Sequence, residues 1–348
     1  MKTSLSAPTR DPTPIFEHFR GSQSTELLTV AVAHFGLFER LADGAVERDA
    51  LRGGLGLAER PFVVLTTALA AMGLLVQRGG KLDLTELSRE HLLPGGEFFV
   101  GDYIRLAGES PSVVEMVERL RANRPAGSEP EEGGAAYIYR DDIESAMEEE
   151  ASARFLTLAL AGRARNCAPL LAERLPLADR RLLLDVGGGS GIYSIALLQR
   201  NPGLRAIVWE RPEVLKVAVE KAAEYGVAER LECREGDMFA DPVPAGVDTV
   251  LLSNVLHDWD VPQCRELVGR CAAALPPGGK LLVHDVYLTD TLDGPLAVAL
   301  YSASLFRLTL GRAYSAAEHR SWMREAGLVP GDIVDTLIHC GVLTSTKR

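Results

Sequence analysis

The sequence predicts an α/β protein in which a doubly wound, mostly parallel sheet follows a smaller helical domain. Three observations predict this fold class. Apolar strand segments alternate with helical patterns from residue 181 onward, helical periodicity dominates the first hundred residues, and a glycine-rich turn follows the first of the alternating strands. Strands that alternate with helices form parallel sheets covered on both faces, so we expect one such domain in the C-terminal half.

Composition and charge exclude several classes of function. The chain has 348 residues, more than most single domains, and 47 % of them are hydrophobic. A net charge of -11 disfavours a nucleic-acid partner, because phosphate contacts need clustered Lys and Arg. The five cysteines are scattered without a C-x-x-C pair, and no apolar run is long enough to span a bilayer. We therefore expect a cytoplasmic protein without a membrane partner.

Residues 1–100 are predicted to form a winged-helix unit. Helical spacing of apolar residues predicts one helix over residues 25–41 and another over residues 57–73. Two short alternating strands follow, joined by Gly79-Gly80, which is typical of a tight β-hairpin. Two helices followed by such a hairpin indicate a winged helix.

A winged helix often reads DNA, but the second predicted helix is poorly suited to that task. Between Ala58 and Met72 its only charged residues are Glu59 and Arg60, so it offers little to attract phosphates. We expect its apolar faces to be buried against a partner subunit instead, since exposed apolar surfaces usually mark interfaces.

Residues 101–165 are predicted to connect the two domains through helices and a loop. Residues 122–134 are rich in Pro, Gly and Glu, which indicates a solvent-facing loop. This loop is either a plain linker or a lid over an active site. From Asp142 long helices lead into the sheet domain, which is predicted to span residues 166–348.

The sheet domain is predicted from regularly spaced apolar segments with helical patterns between them. Its strands are read in RLLLDVG (181–187), LRAIVWE (204–210), RLECREGD (230–237), VDTVLLSNV (247–255) and GKLLVHDVYL (279–288), with two late strands in DIVDTLIH (332–339) and CGVLTSTK (340–347).

The glycine turn after the first strand does not match the common phosphate-binding motifs. Gly187, Gly189 and Gly191 follow Asp185 in a G-x-G-x-G pattern. A dinucleotide fingerprint requires a further glycine where Ile192 stands, and a hydrolase nucleophile elbow fails at the same position. No Gly-Lys-Ser/Thr follows, so a phosphate loop is excluded as well. A bare turn behind an acid suits a cofactor with an amino-acid portion, whose ammonium group needs oxygen acceptors.

Acidic and apolar residues at the next two strand ends extend this cofactor hypothesis. Glu210 ends the second strand, where an acid would accept both hydrogen bonds of a ribose diol. After the third strand, Asp237 would accept the adenine amino group, with Met238 and Phe239 as apolar walls. Together they predict S-adenosylmethionine. The alternatives are a structural glycine turn and a Glu210 that caps the following helix.

Four segments then resemble a known family at matching spacing: DVGGGSG, GDMF, LSNVLHDWD and LPPGGKLLVHDVYL. The chain resembles, over essentially its whole length, the S-adenosylmethionine-dependent small-molecule O-methyltransferases with an N-terminal winged-helix dimerisation domain. Plant caffeate and flavonoid enzymes, animal acetylserotonin methyltransferase and bacterial polyketide-tailoring enzymes belong to this family. The resemblance implies a Rossmann-like class I methyltransferase domain and a homodimer whose N-terminal domains interlock.

The resemblance also implies a general base. His257 matches the family histidine that removes the proton from the acceptor hydroxyl, and Asp285 matches the acid that orients this histidine. Asp258 either assists the base or caps the helix that starts near Val261. We include His257, Asp285 and Asp258 in the predicted catalytic group.

The chain departs from the family pattern at two places. Plant members carry a second acid where this chain has Ala313, so the base is expected to be held by one acid. They also carry a lysine where this chain has Ser253, and the cofactor contact at Ser253 is therefore changed or lost. Trp259 is either a wall for the adenine or a core residue.

The acceptor pocket is predicted on two helical segments, residues 151–160 and 298–310. Phe155, Leu305 and Phe306 are the expected apolar contacts for an aromatic or polyketide-like substrate, although an apolar stripe on a helix is more often core. A metal ion is not expected, because His284 and Asp285 are neighbours on a strand and face opposite sides.

Three alternative functions stay open at this point. A relative with this scaffold that has drifted to decarboxylation or hydroxylation would bind the same cofactor. A non-enzymatic winged-helix sensor would bind a metabolite in the sheet domain. A nicotinamide dehydrogenase would use the same type of sheet.

Overall fold

The computed structural model describes residues 4–124 and 150–348. Its helices are α1 (Thr13–Arg20), α2 (Ser24–Ala33), α3 (Arg48–Leu55), α4 (Glu59–Ala71), α5 (Glu86–His91), α6 (Gly101–Arg105), α7 (Pro111–Ala122), α8 (Glu150–Arg174), α9 (Ile192–Arg200), α10 (Pro212–Glu224), α11 (Val261–Ala274), α12 (Leu296–Leu308) and α13 (Ala316–Glu325). Its strands are β1 (Val46–Glu47), β2 (Leu75–Arg78), β3 (Lys81–Leu84), β4 (Leu182–Val186), β5 (Arg205–Glu210), β6 (Leu231–Glu235), β7 (Thr249–Ser253), β8 (Lys280–Leu288), β9 (Tyr314–Ser315), β10 (Leu328–Asp335) and β11 (Cys340–Lys347). Most of the loop predicted over residues 122–134, and the start of the long helices at Asp142, lie outside the described residues.

The chain divides into two compact units that are not contiguous in sequence. Within the described residues, the helical unit comprises residues 17–124 and 288–315, and the sheet unit comprises residues 4–16, 150–287 and 316–348. This division differs from the contiguous segments predicted above. Residues 288–315 belong to the helical unit because α12 packs against α4. The N-terminal residues belong to the sheet unit, where the Leu5 N–H donates to Gln199 Oε1 at 2.8 Å.

The helical unit contains the predicted hairpin. Strands β2 and β3 pair antiparallel and β1 adds to β3, so the small sheet has the order β1-β3-β2. Gly79 and Gly80 connect β2 to β3 with φ of 57° and 82°. Positive φ values at two consecutive residues are typical of the two-residue turns whose twist matches that of the flanking hairpin strands. Glycine adopts such φ values without steric cost.

The first predicted helix was too long. Helix α2 ends at Ala33, and the chain then turns through Gly36, which has a φ of 52°, before a short 3-10 turn over Glu39–Leu41. The apolar spacing continues across this break because both segments face the same core, so periodicity alone did not reveal the turn.

The expected burial of α4 against a partner subunit was also wrong. Every residue from Arg60 to Ala70 is already buried within this chain. Arg60 donates from Nη1 to the carbonyl oxygens of Thr309 and Gly311 at 3.0 and 3.2 Å, and from Nε to Asn123 Oδ1 at 2.9 Å. The side chain that sequence reasoning treated as a surface charge therefore connects α4 to the segments after α7 and α12.

The sheet unit has the predicted doubly wound architecture. Along the path of the sheet the order is β10-β11-β8-β7-β4-β5-β6, with β4 to β8 parallel and β10 and β11 antiparallel. The strand order reverses between β4 and β7, and ligands in open α/β sheets bind outside the carboxyl ends of the strands at such a point. All predicted strands are present, although β10 begins at Leu328, before its predicted start.

Within residues 4–124 and 150–348 no single helix is long and apolar enough to cross a membrane, and α3 with α4 reaches that length only as a pair bent by 109°. The five cysteines, all inside these ranges, form no disulfide.

Replacement of Arg60 by alanine is expected to destabilise the helical unit by about 3 kcal/mol, because buried carbonyl acceptors lose a charged donor. The free energy of unfolding, measured by urea denaturation with far-ultraviolet circular dichroism, tests this expectation. Arg52→Ala is the matched control, since its side chain is 34 % exposed and pairs with surface acids, and it is expected to cost at most about 1 kcal/mol. Equal effects of the two substitutions would contradict the role of Arg60.

Candidate functional site

The candidate site lies at the carboxyl ends of β4, β5, β7 and β8, all within the sheet unit. It has two parts. The first is the glycine turn between β4 and α9 with the acids around it, and the second is a buried histidine and carboxylate pair that follows β7 and belongs to β8.

The glycine turn needs its missing side chains for two physical reasons. Gly187, Gly189 and Gly191 have φ of 62°, 56° and 71°, a backbone region that glycine adopts without cost. Gly188 is glycine because of space: a Cβ atom there would lie 2.7 Å from Asp185 Cγ. The turn therefore folds directly over the carboxylate of Asp185, the penultimate residue of β4.

Asp185 is completely buried beneath this turn. Its Oδ2 accepts a hydrogen bond of 2.7 Å from Ser194 Oγ on α9. Its Oδ1 has no hydrogen-bond partner among residues 4–124 and 150–348. Burial, opposed by the Ser194 hydrogen bond and aided by the nearby charge of Glu210, raises the pKa of Asp185 to about 7. The orphaned oxygen is suited to a buried cationic donor.

Glu210 at the end of β5 faces the same turn. Its Oε2 accepts from the Gly189 N–H at 3.3 Å and its Oε1 accepts from the Arg211 N–H at 2.8 Å. Burial raises the pKa of this carboxyl, while these two backbone hydrogen bonds lower it. The alternative in which Glu210 caps α10 is not observed, because the N-cap position is Arg211.

The residues predicted around an adenine lie together after β6 and β7. The Phe239 and Trp259 rings contact edge to face, with centroids 4.7 Å apart. A Cβ atom built on Gly187 would lie 3.2 Å from Met238 Cε, so the Met238 side chain lies directly beside the glycine turn. Asp237 is exposed, and its Oδ1 accepts from the Phe239 N–H at 2.7 Å, so this carboxylate organises its own turn.

The second part of the site is the pair formed by His257 and Asp285. His257 lies in a 3-10 turn after β7, Asp285 lies on β8, and both side chains are buried. His257 Nδ1 is 2.5 Å from Asp285 Oδ1. Burial raises the pKa of Asp285, but the charge and hydrogen bond of His257 outweigh it and the net pKa lies below its usual value. An ionised carboxylate accepts, so Nδ1 carries the proton and Nε2 presents the lone pair.

Asp258 takes a different role from the helix cap that sequence reasoning considered. Its Oδ1 lies 3.6 Å from His257 Nε2, which gives the histidine a second acid. Burial raises the pKa of Asp258 to about 6, opposed by the charge of His257. The cap of α11 is Asp260, whose Oδ1 accepts from the Val261 N–H at 2.8 Å, because a cap must directly precede the first helical residue.

Ser253 and His284 form a separate polar group on the opposite face of the sheet from Asp285. Ser253 Oγ lies 3.0 Å from His284 Nδ1, and His284 Nε2 lies 2.9 Å from Thr336 Oγ1. Burial lowers the pKa of His284 to about 3, so this histidine is neutral. Among the described residues no group of three His, Cys, Asp or Glu side chains is arranged to hold a metal ion.

The three predicted acceptor contacts do not share one environment. Phe155 on α8 of the sheet unit is 76 % exposed. Leu305 and Phe306 on α12 are buried inside the helical unit, where the Arg60 guanidinium lies 4.5 Å from the centre of the Phe306 ring. Phe306 belongs to the core of that unit, so its role in an acceptor pocket stays a prediction.

Sequence reasoning missed three residues that shape the site. Gly188 was passed over because the motif counts only alternate glycines. Ser194 was passed over as well. It is a polar residue among the apolar residues of the first turn of α9, and this contrast could have identified it from the sequence. Asn254 was missed as well: it leaves β7 with a φ of 56°, and its Nδ2 donates to Ser253 Oγ at 3.2 Å.

Comparison with known proteins places this geometry in context. A family model described as an O-methyltransferase domain matches residues 144–329. The chain is similar to 3-hydroxy-5-methyl-1-naphthoate 3-O-methyltransferase of Streptomyces sahachiroi, with 35 % identity over 91 % of this chain and 89 % of that protein. It is also similar to acetylserotonin O-methyltransferase of Bos taurus, with 31 % identity over 89 % of this chain and 90 % of that protein.

A solved structure shares both sequence and fold over the full length. It is an O-methyltransferase family 2 protein from Planctomyces limnophilus DSM 3776 in complex with apigenin. It is 47 % identical to this chain, covers 100 % of this chain and 99 % of its own, and superposes with a TM-score of 0.89.

Replacement of Gly188 by alanine is expected to destabilise the sheet unit by about 1–3 kcal/mol, because the new Cβ would overlap the buried Asp185 carboxyl group. Thermal and urea denaturation measure this effect. Gly203→Ala is the matched control, since no atom lies within 4 Å of a Cβ at that position, and it is expected to change stability by less than about 0.5 kcal/mol. A Gly188→Ala protein as stable as this control would contradict the predicted steric overlap between a Cβ atom at position 188 and the Asp185 carboxyl group.

Proposed function

Because the chain belongs to the O-methyltransferase family, we propose that it transfers a methyl group from S-adenosylmethionine to a phenolic hydroxyl of an aromatic or polyketide-like small molecule. The observation that carries this proposal is the buried His257 and Asp285 pair, with Nδ1 and Oδ1 2.5 Å apart at the carboxyl ends of β7 and β8. A histidine fixed in this way presents Nε2 as a general base, which an O-methylation needs and a simple binding domain does not.

The residues around the glycine turn fit the proposed cofactor. The orphaned Asp185 Oδ1 would accept from an ammonium group, and the carboxylate of Glu210 would accept from ribose hydroxyls. Phe239 and Trp259 form an apolar corner of the kind that an adenine ring requires, with Met238 beside it. Asp237 keeps Oδ2 for an exocyclic amino group, since Oδ1 is occupied by the backbone of its own turn.

The bound cofactor would supply an electrophilic methyl group on a sulfonium centre. What the protein must then supply is alignment and removal of the acceptor proton. A phenol with a pKa near 10 and a histidine with a pKa near 6.5 are mismatched by about 3.5 units, or about 5 kcal/mol. Asp285 reduces this mismatch because its negative charge stabilises the imidazolium that forms at His257.

The acceptor class is inferred from the relatives and from the chain. The Streptomyces relative is named for a hydroxynaphthoate, and the Planctomyces structure holds apigenin, a flavone with phenolic hydroxyls. Flat aromatic acceptors need apolar walls. The first three turns of α8 offer Phe155, Leu158 and Leu160 as exposed apolar side chains, and Leu305 and Phe306 are the candidates on α12.

We further propose that the helical unit forms a homodimer. Tyr103 on α6 and Leu106 directly after it are 79 % and 80 % exposed, and at a spacing of three residues they share one side of the helix. Phe98 and Phe19 of the same unit are exposed as well. Large exposed apolar side chains are typical of interaction surfaces, and the occupant we propose is a second copy of this chain.

The function is tested by the binding of S-adenosylhomocysteine together with turnover of a His257→Gln variant. The wild-type protein is expected to bind this product, so its melting temperature rises when S-adenosylhomocysteine is added. Addition of NAD is expected to leave the melting temperature unchanged. His257→Gln is expected to bind it within about twofold of wild type, because the histidine is outside the cofactor corner. Its kcat/KM with apigenin or hydroxynaphthoate acceptors is expected to fall by about 10² to 10⁴ through loss of the base.

His91→Gln is the control, since this histidine lies on α5 of the helical unit, and it is expected to leave turnover unchanged. A protein that ignores S-adenosylhomocysteine would overturn the cofactor proposal. A His257→Gln protein with full turnover would instead refute only the assignment of His257 as the general base.

The dimer is tested by sedimentation of a Tyr103→Glu, Leu106→Glu double variant. The wild type is expected at twice the protomer mass of 37.6 kDa, and the double variant at the protomer mass, because two buried charges would oppose association. Val219→Glu, which replaces an exposed apolar residue on α10 of the sheet unit, is expected to stay dimeric. A monomeric wild type would refute the proposal.

A further inference from the structure

A chain of hydrogen bonds crosses the face of the sheet opposite Asp285, and nothing in the proposed reaction uses it. It connects, in order, the Cys340 carbonyl oxygen, Thr336 Oγ1, the His284 ring, Ser253 Oγ, the Asn254 side-chain amide and the Tyr193 hydroxyl. Its donor–acceptor distances lie between 2.9 and 3.3 Å. The position of each proton follows from the donors and acceptors that these groups offer.

The direction of the chain is set at its first member, because a carbonyl oxygen can only accept. Thr336 therefore gives its one hydroxyl proton to Cys340 and accepts from His284 Nε2. Burial lowers the pKa of His284 to about 3, so the ring is neutral and Nδ1 accepts from Ser253 Oγ. Ser253 has no second proton, and its oxygen must accept from Asn254.

The Asn254 amide is thereby fixed with Nδ2 toward Ser253 and Tyr193. Rotation of the amide by half a turn would place two acceptors, Asn254 Oδ1 and Ser253 Oγ, against each other. In the fixed orientation the two Nδ2 protons go to Ser253 Oγ at 3.2 Å and to the Tyr193 oxygen at 3.3 Å. Oδ1 is buried and has no hydrogen-bond partner within residues 4–124 and 150–348.

The Tyr193 hydroxyl is unsatisfied in the opposite sense. Its oxygen accepts from Asn254, but its own O–H donates to no acceptor in the part of the chain that the structure describes. Burial raises the pKa of Tyr193 well above its usual range, so the hydroxyl keeps its proton. A donor and an acceptor without partners thus lie side by side, and buried groups of this kind are rare unless a ligand or water satisfies them.

This donor and acceptor lie at the carboxyl edge of the sheet, on the face that carries Asp185. Asn254 directly follows β7, and Tyr193 is the second residue of α9, which begins where the glycine turn ends. Asp185 pairs in register with Leu251, and Ser253 lies two residues further along β7. Side chains two residues apart on a strand share a face, so Asp185 and Ser253 point to the same side.

Positive charge lies on the same side of the sheet as the Tyr193 hydroxyl. Tyr193 belongs to the first turn of α9, where the helix dipole has its positive end. The Tyr193 ring contacts the His284 ring, with centroids 5.0 Å apart, and Arg163 on α8 donates from Nη2 to Cys340 Sγ at 3.2 Å. Against the larger effect of burial, the charge of Arg163 lowers the pKa of Tyr193. An anion bound by this hydroxyl would be stabilised by the same charges.

We propose that Tyr193 and Asn254 bind the amino-acid end of the cofactor: the Tyr193 O–H donates to its carboxylate, and Asn254 Oδ1 accepts from its ammonium group. The proposal deepens the proposed function and rests on S-adenosylmethionine being the cofactor. A group that satisfies both side chains must carry an acceptor and a donor close together, as an α-amino acid does. The ammonium group has three N–H donors, so Asp185 Oδ1 and Asn254 Oδ1 do not compete for it.

The test is calorimetric binding of S-adenosylhomocysteine and of two analogues that lack parts of its amino-acid end. Decarboxylated S-adenosylhomocysteine keeps the ammonium group, and 5′-methylthioadenosine has neither charged group. Tyr193→Phe removes only the hydroxyl. It is expected to weaken binding of S-adenosylhomocysteine by about 10- to 100-fold, because a hydrogen bond to a carboxylate is lost, and to leave both analogues within about twofold of wild type.

Two substitutions of Asn254 test the ammonium contact. Asn254→Gly tolerates the backbone φ of 56° and is expected to weaken S-adenosylhomocysteine and its decarboxylated analogue by about tenfold, with 5′-methylthioadenosine unchanged. Asn254→Asp keeps an acceptor oxygen and is expected to bind the decarboxylated analogue within about twofold of wild type. Tyr225→Phe is the matched control, since this buried tyrosine belongs to the same core cluster as Tyr193 but directly follows the C-terminus of α10. It is expected to change none of the three affinities.

Equal weakening of all three ligands by Tyr193→Phe would indicate a packing effect and overturn the proposal, and so would unchanged binding of S-adenosylhomocysteine. Should Tyr193→Phe not fold, the Asn254→Gly and Asn254→Asp pair decides in the same way. A wild-type protein that binds neither S-adenosylhomocysteine nor 5′-methylthioadenosine contradicts the cofactor itself. Wild-type binding with variants that do not discriminate among the ligands refutes only the roles of Tyr193 and Asn254.

Discussion

Burial of carboxylates at the ends of the central strands is the constraint on which the rest of the site depends. Asp185 and Asp285 are both removed from water, and desolvation favours the neutral form of each. Their outcomes differ because their neighbours differ. Asp285 faces His257 and stays ionised, whereas burial, aided by the like charge of Glu210 and opposed by the Ser194 hydrogen bond, raises the pKa of Asp185 to about 7. His257 therefore compensates the charge of Asp285, whereas Asp185 accepts only from a serine among the described residues.

The topology of the sheet brings these two carboxylates to one edge. Asp185 lies at the penultimate position of β4, Asp285 lies near the end of β8, and β7 runs between these strands. Because all three strands are parallel, their carboxyl ends open on the same side, where the turn of His257 and the glycine turn also emerge. The antiparallel strand β11 then covers the outer edge of β8, so that the strand carrying Asp285 is paired on both sides.

Periodicity and turn chemistry predicted the strands, the hairpin and the glycine turn, because each depends on residues close together in sequence. The pairing of His257 with Asp285 came from a family resemblance, and their 28-residue separation gives no local signal. Long-range features were not predictable. The return of α12 to the helical unit and the burial of Arg60 depend on which faces meet in three dimensions. Gly188 is constrained by the Asp185 side chain three residues earlier, which no spacing rule describes.

A second acid lies beside His257, and it comes from the next residue in the sequence. With alanine at position 313, the base was expected to have one carboxylate, yet Asp258 Oδ1 lies 3.6 Å from His257 Nε2. Its pKa of about 6 means that it is largely neutral below that pH and ionised above it. Once ionised, Asp258 adds negative charge beside His257 Nε2, and so favours the imidazolium form of His257. Asp285 therefore fixes the tautomer of His257, while Asp258 favours the imidazolium form only as the pH rises through about 6.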